Sequence, residues 1–212
     1  MTSLAWLLLA AAGVAAVIDW WAVARADKRV EYITKPATLL GLAAVALTLD
    51  PESEATRAWF VLALGFSVTG DVFLMLPGNL FVQGLAAFLV AHVAYVAGFV
   101  AGGLDGTVLI VASLVIAVFV MLYARFLITR MHARQRRLRV PVGGYAVAIG
   151  SMLTAAIAGR DVLAIAGALL FVLSDGLIGF SRFVRPALWA PLAIIITYHL
   201  AQAGLVLSLA LN

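Results

Sequence analysis

The chain has 212 residues, of which 65% are hydrophobic and 11% are charged. Soluble domains are roughly half apolar and about a quarter charged, so this composition excludes an ordinary soluble domain and indicates a membrane protein. The net charge of +4 does not indicate a nucleic-acid partner, because the basic residues cluster in short segments between apolar runs. The chain contains no cysteine, which excludes disulfides, thiolate catalysis and cysteine metal sites.

Apolar runs of about 20 residues, the length that crosses a hydrocarbon core, follow one another along the chain. They occupy residues 3–23, 34–49, 57–76, 81–101, 106–128, 140–158, 161–180 and 187–210. None has the alternating period of a barrel strand, so we predict an all-α, polytopic bundle of eight transmembrane helices in a single integral membrane domain, 1–212. No basic segment precedes the first run, so we expect an uncleaved first span rather than a signal peptide.

The loops between these runs differ sharply in charge. Twelve of the 14 Lys and Arg residues lie in the odd-numbered loops, with four in the first loop, six in the fifth and two in the seventh. Because cytoplasmic loops carry an excess of Lys and Arg, this pattern predicts that the odd-numbered loops are cytoplasmic and that both termini are outside. We expect the protein in a bacterial cell (inner) membrane.

Ionisable side chains interrupt several apolar runs. Asp71 lies within FSVTGDVFLML, 66–76, and Asp175 lies within ALLFVLSDGLIGF, 168–180. A charged side chain at the bilayer centre costs roughly 2.5–3.5 kcal/mol on insertion scales, and such residues usually face the bundle interior and carry function. The predicted topology brings one polar set together in the cytoplasmic half of the bundle: Asp19, Lys35, Asp71, His92, Tyr145, Asp175 and His199.

The spacing of these residues indicates a weak internal repeat. Pro36 precedes Asp71 by 35 residues, and Pro141 precedes Asp175 by 34 residues. A histidine follows each aspartate, after 21 residues in the first half and after 24 in the second. Four crossings restore the starting side of the membrane, so this pattern predicts two parallel four-helix repeats, 1–105 and 106–212.

Each polar residue also has a purely structural interpretation. An intramembrane aspartate can tether helices through Ser, Thr or Lys, and a single histidine such as His92 can be a satisfied core residue. Ser174 precedes Asp175 directly, but neighbouring helix residues point about 100° apart, so a Ser–Asp nucleophile pair is not implied. No HxxxH or HxxE spacing occurs, and we predict no metal. The basic cluster RMHARQRRLR, 130–139, fits orientation and attraction to anionic lipid, or binding of a substrate phosphate.

Five motifs together resemble the YhhN family of eight-span membrane proteins, which includes the lysoplasmalogenases. They are TKP at 34–36, GDVFLML at 70–76, FVQGLAAFLVAHVAY at 81–95, GALLFVLSD at 167–175 and YHLAQ at 198–202. The resemblance implies hydrolysis of the vinyl ether bond of lysoplasmalogens, which gives a fatty aldehyde and glycerophosphoethanolamine or glycerophosphocholine. It implies no cofactor. The expected partners are a lysophospholipid substrate and membrane lipids, and the oligomeric state stays open.

Vinyl ether hydrolysis requires an acid that protonates carbon, and a carboxylate near the resulting oxocarbenium-like cation. Under the resemblance, Asp71 and Asp175 are this pair, with the assignment of acid and base left open. His92, Tyr145 and His199 would orient water or share the proton, and Lys35 would meet the substrate phosphate or pair with an aspartate. The remaining candidate substrate-binding residues are Asp19, Tyr95, Ser174, Tyr198 and Gln202.

Three alternatives to this function remain open. The chain could hydrolyse another lipid bond. Parallel repeats with intramembrane Asp and His also fit a proton-coupled carrier or a lipid-binding protein, although a carrier should have gating polar residues on both sides of the membrane. Finally, the aspartates could only hold the helices of a non-catalytic scaffold together.

Overall fold

The computed structural model describes residues 1–210, which form eight α-helices and one short 3₁₀ helix and contain no β-strand. The helices are α1 (Ser3–Ala24), α2 (Lys28–Thr48), α3 (Glu54–Met75), α4 (Phe81–Gly102), α5 (Gly106–Arg130), α6 (Arg139–Gly159), α7 (Val162–Phe183) and α8 (Ala190–Ser208), with the 3₁₀ helix at Ala133–Leu138. All eight are long and apolar enough to cross a membrane. The predicted all-α bundle of eight spans is confirmed, and the chain is an integral membrane protein.

Helix α2 begins six residues before the predicted start of the second span, so that predicted start was wrong. The charged segment 28–33 suggested a loop, but Asp27 caps the helix by accepting hydrogen bonds from the backbone N–H groups of Arg29 and Val30. Pro36 therefore lies inside α2 rather than at its start. Lys35 likewise occupies the third turn of the helix, whereas the predicted run 34–49 placed it in the first turn.

Side-chain caps also begin four other helices, at Thr2, Ser53, Asp105 and Asp161. Asp105 also links the α4–α5 loop to the end of α6. Arg160 donates a hydrogen bond to Asp105 Oδ2 at 3.1 Å, and the backbone N–H of Asp105 donates to the Ala158 carbonyl. Hydrogen bonds from the backbone N–H groups of Val108 and Thr107, together with Arg160, hold the pKa of the Asp105 carboxyl below its usual value.

The helices pack in corresponding ways in the two halves of the chain. Within each half, consecutive helices form antiparallel hairpins, and α3 with α4 and α7 with α8 are the most extensive pairs. Between the halves, α4 packs on α6 and α8 packs on α2. This reciprocal contact is what two parallel four-helix repeats require, and the repeat itself stays a prediction.

We call the end of the bundle that holds the α1–α2, α3–α4, α5–α6 and α7–α8 loops the basic end.

Helix α5 is the least buried of the eight. Only Ala112 and Leu127 of its 25 residues are buried, and large apolar side chains such as Leu114 and Met121 are exposed along its length. It packs mainly on α6 and makes a much smaller contact with α7. The exposed side chains are as apolar as lipid, so α5 is a peripheral helix that a bilayer can surround on most sides.

Helices α7 and α8 approach each other through glycine. A Cβ atom at Gly167 would lie 2.8 Å from the Ala201 carbonyl oxygen and 2.9 Å from the Leu205 backbone nitrogen. Gly204 faces the same contact, since a Cβ there would lie 3.1 Å from the Cα atom of Gly167. Small residues of this kind allow the close backbone packing by which helices associate within membranes.

We therefore expect Gly167→Ala to lower the stability of the protein in detergent by about 1–3 kcal/mol, because the added methyl group meets backbone atoms that cannot rotate away. The measurement is thermal unfolding of the purified protein. Gly65→Ala in α3 is the matched control, since a methyl group added at Gly65 would have no atom within 4 Å. Equal melting temperatures for the two variants would contradict this account of the α7–α8 contact.

Candidate active site

Asp175 on α7 lies in a cluster with side chains from α4 and α6. The Tyr145 hydroxyl donates a hydrogen bond to Asp175 Oδ2, and His92 Nε2 lies 2.9 Å from the Tyr145 oxygen and 3.5 Å from Asp175 Oδ2. Because the hydroxyl proton points to the carboxylate, the tyrosine oxygen accepts from His92 Nε2, which assigns a proton to that nitrogen. Both partners hold the same carboxylate oxygen, so Asp175 Oδ1 makes no hydrogen bond to the described residues.

Asp71 on α3 lies in a second cluster, with side chains from α2 and α8. Lys35 Nζ is 2.8 Å from Asp71 Oδ1, and the Tyr198 hydroxyl donates to Asp71 Oδ2 at 2.8 Å. The ammonium group also lies 5.6 Å from the centre of the Tyr198 ring. Only 1% of the Asp71 side chain is exposed. Both oxygens are satisfied, as a carboxylate removed from water requires.

The two clusters are built from corresponding helices. Each aspartate belongs to the third helix of its half and is held by the second helix of the same half, through Lys35 or Tyr145. Each is also held by the fourth helix of the opposite half, through Tyr198 or His92. Neither half of the chain therefore completes an aspartate cluster alone.

Two phenylalanines join the clusters. The Phe171 ring lies 4.8 Å from the His92 ring and 5.5 Å from the Tyr198 ring, and Phe88 packs edge-on against both Phe171 and Tyr198. The Phe171 ring therefore touches one aromatic member of each cluster. Five members of the predicted polar set thus meet in two adjacent clusters with an apolar separation: Lys35, Asp71, His92, Tyr145 and Asp175.

Asp19 and His199 form a third cluster, between α1, α2 and α8. Thr34 donates to Asp19 Oδ1 at 2.7 Å, and Trp20 Nε1 donates to His199 Nδ1 at 3.1 Å. The neutral imidazole then carries its proton on Nε2, which lies 3.9 Å from Asp19 Oδ2. That separation exceeds a hydrogen bond, and both atoms are buried with no other partner among the described residues. His199 is therefore separated from the two aspartate clusters, although its neighbour Tyr198 belongs to one of them.

The other predicted substrate-binding residues contact neighbouring helices. The Tyr95 hydroxyl donates to Gln202 Oε1 at 2.5 Å, a buried bond between α4 and α8. Ser174 donates to the backbone carbonyl of Ile194 on α8 at 3.1 Å and does not bond Asp175. These three side chains hold the fourth helices in position, and their contact with a substrate stays a prediction.

A cavity of about 470 Å³ lies between α4, α5, α6 and α7. Apolar side chains form most of its wall, and Asp175 and Tyr145 are the two predicted catalytic residues that line it. Asp175 is 11% exposed, compared with 1% for Asp71. An apolar cavity with a few convergent polar groups is the usual form of a small-molecule site. Among the residues that the structure describes, no three His, Asp or Glu side chains form a group that could hold a metal ion.

Several residues of these clusters were not predicted as site residues. Phe88 and Phe171 gave no signal, because an apolar residue in an apolar helix looks the same whether it faces lipid or a site. Tyr123 in α5 lines the cavity and donates to the Gly176 carbonyl at 2.6 Å. For Thr34, the only feature of the sequence that could have indicated a role in the site was its position in the TKP motif, next to Lys35.

The Lys35–Asp71 pair should be strongly coupled. We expect Lys35→Met to destabilise the protein by about 3–5 kcal/mol, because it leaves the Asp71 carboxylate buried without a counter-ion. Adding Asp71→Asn should recover part of that loss, since the amide carries no charge. The measurement is a double-mutant cycle by chemical unfolding in detergent. Lys28→Met removes an ion pair to Glu31 from a lysine that is 64% exposed, and it should cost less than about 1 kcal/mol. Additive effects of the two buried substitutions would refute the coupling.

Comparison with known proteins finds relatives over most of the chain. A lysoplasmalogenase of Mycobacterium bovis is 34% identical over 157 residues, which cover 70% of this chain and 57% of the relative. The human lysoplasmalogenase TMEM86B is 34% identical over 146 residues, covering 69% of this chain and 61% of the relative. The bovine lysoplasmalogenase TMEM86A is 32% identical over 166 residues, covering 73% and 65%. The chain thus spans less than two thirds of the length of these relatives. No solved structure matches it.

The family comparison covers both aspartate clusters. The model of the YhhN family matches residues 30–209, which include α2 from its first turn, every later helix, and all six side chains that form the two clusters. The residues that suggested this resemblance, from TKP at 34–36 to YHLAQ at 198–202, lie within that range. The chain belongs to the YhhN family.

Proposed function

We propose that the protein hydrolyses the vinyl ether bond of lysoplasmalogens, releasing a fatty aldehyde and a glycerophospho-headgroup. The observation that carries this proposal is the position of Asp175, a hydrogen-bonded carboxylate in the wall of an otherwise apolar cavity. Membership of the YhhN family and several relatives named lysoplasmalogenase support it.

The cavity suits a single-chain lipid. Its wall offers Leu, Ile, Val and Phe side chains along α5, α6 and α7, and it extends to both sides of Asp175 on α7, from Leu169 to Phe183. Fourteen residues of helix correspond to about 21 Å. A lysoplasmalogen carries one long alkenyl chain, and such a cavity can take that chain while the vinyl ether lies at the carboxyl group.

We assign the general acid to Asp175 and a supporting electrostatic role to Asp71. Asp175 lines the cavity and keeps one oxygen without a hydrogen bond to the described residues, so that oxygen can reach a substrate carbon. Asp71 does not line the cavity, and both of its oxygens are held by Lys35 and Tyr198. The Asp71 carboxylate balances the buried Lys35 ammonium and so lessens its repulsion of a cation that develops beside Asp175.

The reaction then proceeds in three steps. The carboxyl group of Asp175 gives its proton to the alkene carbon remote from the ether oxygen, and the π electrons form the new C–H bond. The resulting oxocarbenium ion lies beside the Asp175 carboxylate, which takes a proton from water as the water oxygen bonds to the cationic carbon. The hemiacetal breaks its C–O bond, with transfer of its hydroxyl proton to the leaving glycerol oxygen, and yields the aldehyde and the alcohol.

His92 and Tyr145 prepare Asp175 for both halves of this cycle. Their hydrogen bonds run from His92 Nε2 through the Tyr145 hydroxyl to Asp175 Oδ2, so they fix the orientation of the carboxyl group and can share its proton. His199 and Asp19 lie in the separate α1–α2–α8 cluster, and we assign them to positioning α8, which carries Tyr198.

We further propose that the basic end faces the cytoplasm of a bacterial cell and that both termini are outside. The support is the charge of the loops, since the α1–α2, α5–α6 and α7–α8 loops hold most of the Lys and Arg residues. In this orientation the two aspartate clusters belong to the cytoplasmic half of the bundle, and the substrate headgroup meets the cytoplasmic surface.

The test is aldehyde release by the detergent-purified protein. Lysoplasmenylethanolamine is the substrate, and the ester lysophospholipid with the same chain and headgroup is the control. We expect aldehyde from the vinyl ether and no fatty acid from the ester. Fatty acid from the ester instead would indicate another lipid hydrolase, and no product from either substrate would reject the proposed activity.

Asp175→Asn should reduce kcat by about 10²–10⁴, the usual contribution of a general acid. Tyr145→Phe should reduce it less, by about tenfold, because His92 still lies 3.5 Å from the carboxylate. Asp105→Asn is the matched control, since asparagine also caps helices and Asp105 lies at the opposite end of the bundle. Correctly folded Asp175→Asn protein with nearly normal turnover would disprove the assignment of the acid.

A further inference from the structure

The proposed function leaves the phosphate of the substrate without a partner. Lys35 was one candidate from the sequence, but its ammonium group pairs with Asp71. A lipid whose chain occupies the cavity needs its anionic headgroup to be held elsewhere, at a fixed distance from Asp175. The following inference rests on the proposed function and concerns the same site.

Arg182 lies on the same face of α7 as Asp175, toward the basic end. The two residues are seven positions apart, which is about two helical turns, so their side chains leave the helix about 20° apart in direction and about 10 Å apart along the axis. Gly179 lies one turn from each and lines the cavity, as does Phe183 beside Arg182. The apolar wall is therefore continuous from the carboxylate to the arginine.

Arg182 does not itself line the cavity, but its guanidinium group contacts a residue of the cavity wall. It lies 3.7 Å from the centre of the Phe81 ring, and Phe81 itself lines the cavity. Its Nη2 atom donates to the side-chain carbonyl oxygen of Asn79 at 3.3 Å. No carboxylate pairs with Arg182 among the described residues, so its charge is not compensated and its other N–H donors are available to an anion. Ring stacking pre-organises such a guanidinium for a planar, bidentate contact.

A second arginine lies near the same end of the cavity. Arg139 is the first residue of α6, one turn before Val142, and Val142 packs with Phe81 and Phe183 in the apolar cluster that closes this end of the cavity. Its Nε atom is buried and has no hydrogen-bond partner among the described residues. A buried N–H donor without an acceptor is costly, and an anion bound at this end of the cavity would relieve that cost.

The spacing fits the covalent structure of a lysoplasmalogen. Seven bonds separate the alkene carbon that takes the proton from the phosphorus atom, which corresponds to about 8 Å in an extended chain if three bonds span roughly 3.3–3.6 Å. With the carbon at Asp175, the phosphorus atom lies within about 2 Å of the level of Arg182 along the helix axis, and the phosphate oxygens and the arginine side chain span that gap. We propose that Arg182 binds the phosphate of the substrate and thereby positions the vinyl ether at Asp175.

If Arg182 binds the phosphate, its substitution should affect only substrates that carry a phosphate group. A purely structural role of Arg182 would affect all substrates equally. We expect Arg182→Gln to raise the KM for lysoplasmenylethanolamine by about tenfold and to leave kcat within about twofold. The same variant should cleave 1-alkenylglycerol, which has no phosphate, with the wild-type KM. Arg182→Lys should recover part of the loss, because it keeps the charge without the bidentate geometry. Arg29→Gln is the control, since Arg29 is an exposed arginine at the same basic end and away from the cavity.

An equal effect of Arg182→Gln on both substrates, or no effect on either, would overturn the proposal. A binding measurement separates this failure from failure of the proposed reaction. The saturated ether analogue of lysophosphatidylethanolamine has no vinyl group, and calorimetry in detergent gives its Kd without turnover. We expect about tenfold weaker binding to Arg182→Gln than to wild type. If wild type releases no aldehyde but shows this difference, the reaction is rejected and the phosphate site stands; equal Kd values would reject the phosphate site.

Discussion

The arrangement of this protein depends on the cost of a carboxylate away from water. Three aspartates interrupt the apolar helices, and each has a partner on another helix: Asp19 has Thr34, Asp71 has Lys35 and Tyr198, and Asp175 has Tyr145 and His92. In a bundle whose helices are otherwise as apolar as lipid, such contacts can select one packing from many, because a slipped or rotated helix would leave a charge without its partner. The carboxylates thus help to specify the fold, in addition to the chemistry that we propose for them.

The fourth helix of each half carries this constraint across the molecule. His92 on α4 reaches the aspartate of the second half, and Tyr198 on α8 reaches the aspartate of the first half. The direct bond between Tyr95 and Gln202 joins the two fourth helices at the centre. Exchange of this kind makes the halves interdependent, although the two clusters have different chemistry. A lysine and a tyrosine satisfy both oxygens of Asp71, whereas a tyrosine and a histidine leave one oxygen of Asp175 open to a reaction at the cavity.

The sequence predicted the number and type of the helices well, because the length of an apolar run is a direct consequence of bilayer thickness. It also identified every ionisable member of the clusters, since a charge in an apolar run is conspicuous. It failed at the start of α2, where Lys28, Arg29 and Glu31 suggested a loop although Asp27 caps a helix. It could not pair Asp71 with Tyr198, 127 residues away, because the rotation of each helix is set by packing. The cavity had no signal either, since Phe119 or Ile149 would look the same facing lipid.

The sparse packing of α5 has a consequence for the fate of the two products. Its Ile116, Phe119 and Val120 side chains form one wall of the cavity, and most of the helix is otherwise open to its surroundings. For the proposed reaction, a fatty aldehyde formed at Asp175 has a short sideways path past α5 into the hydrocarbon phase, while the glycerophospho-headgroup is soluble in water. Each product then dissolves in the phase from which the other is excluded. The two are diluted into separate compartments as they form, which opposes recombination and makes the composition of the bilayer itself a determinant of turnover.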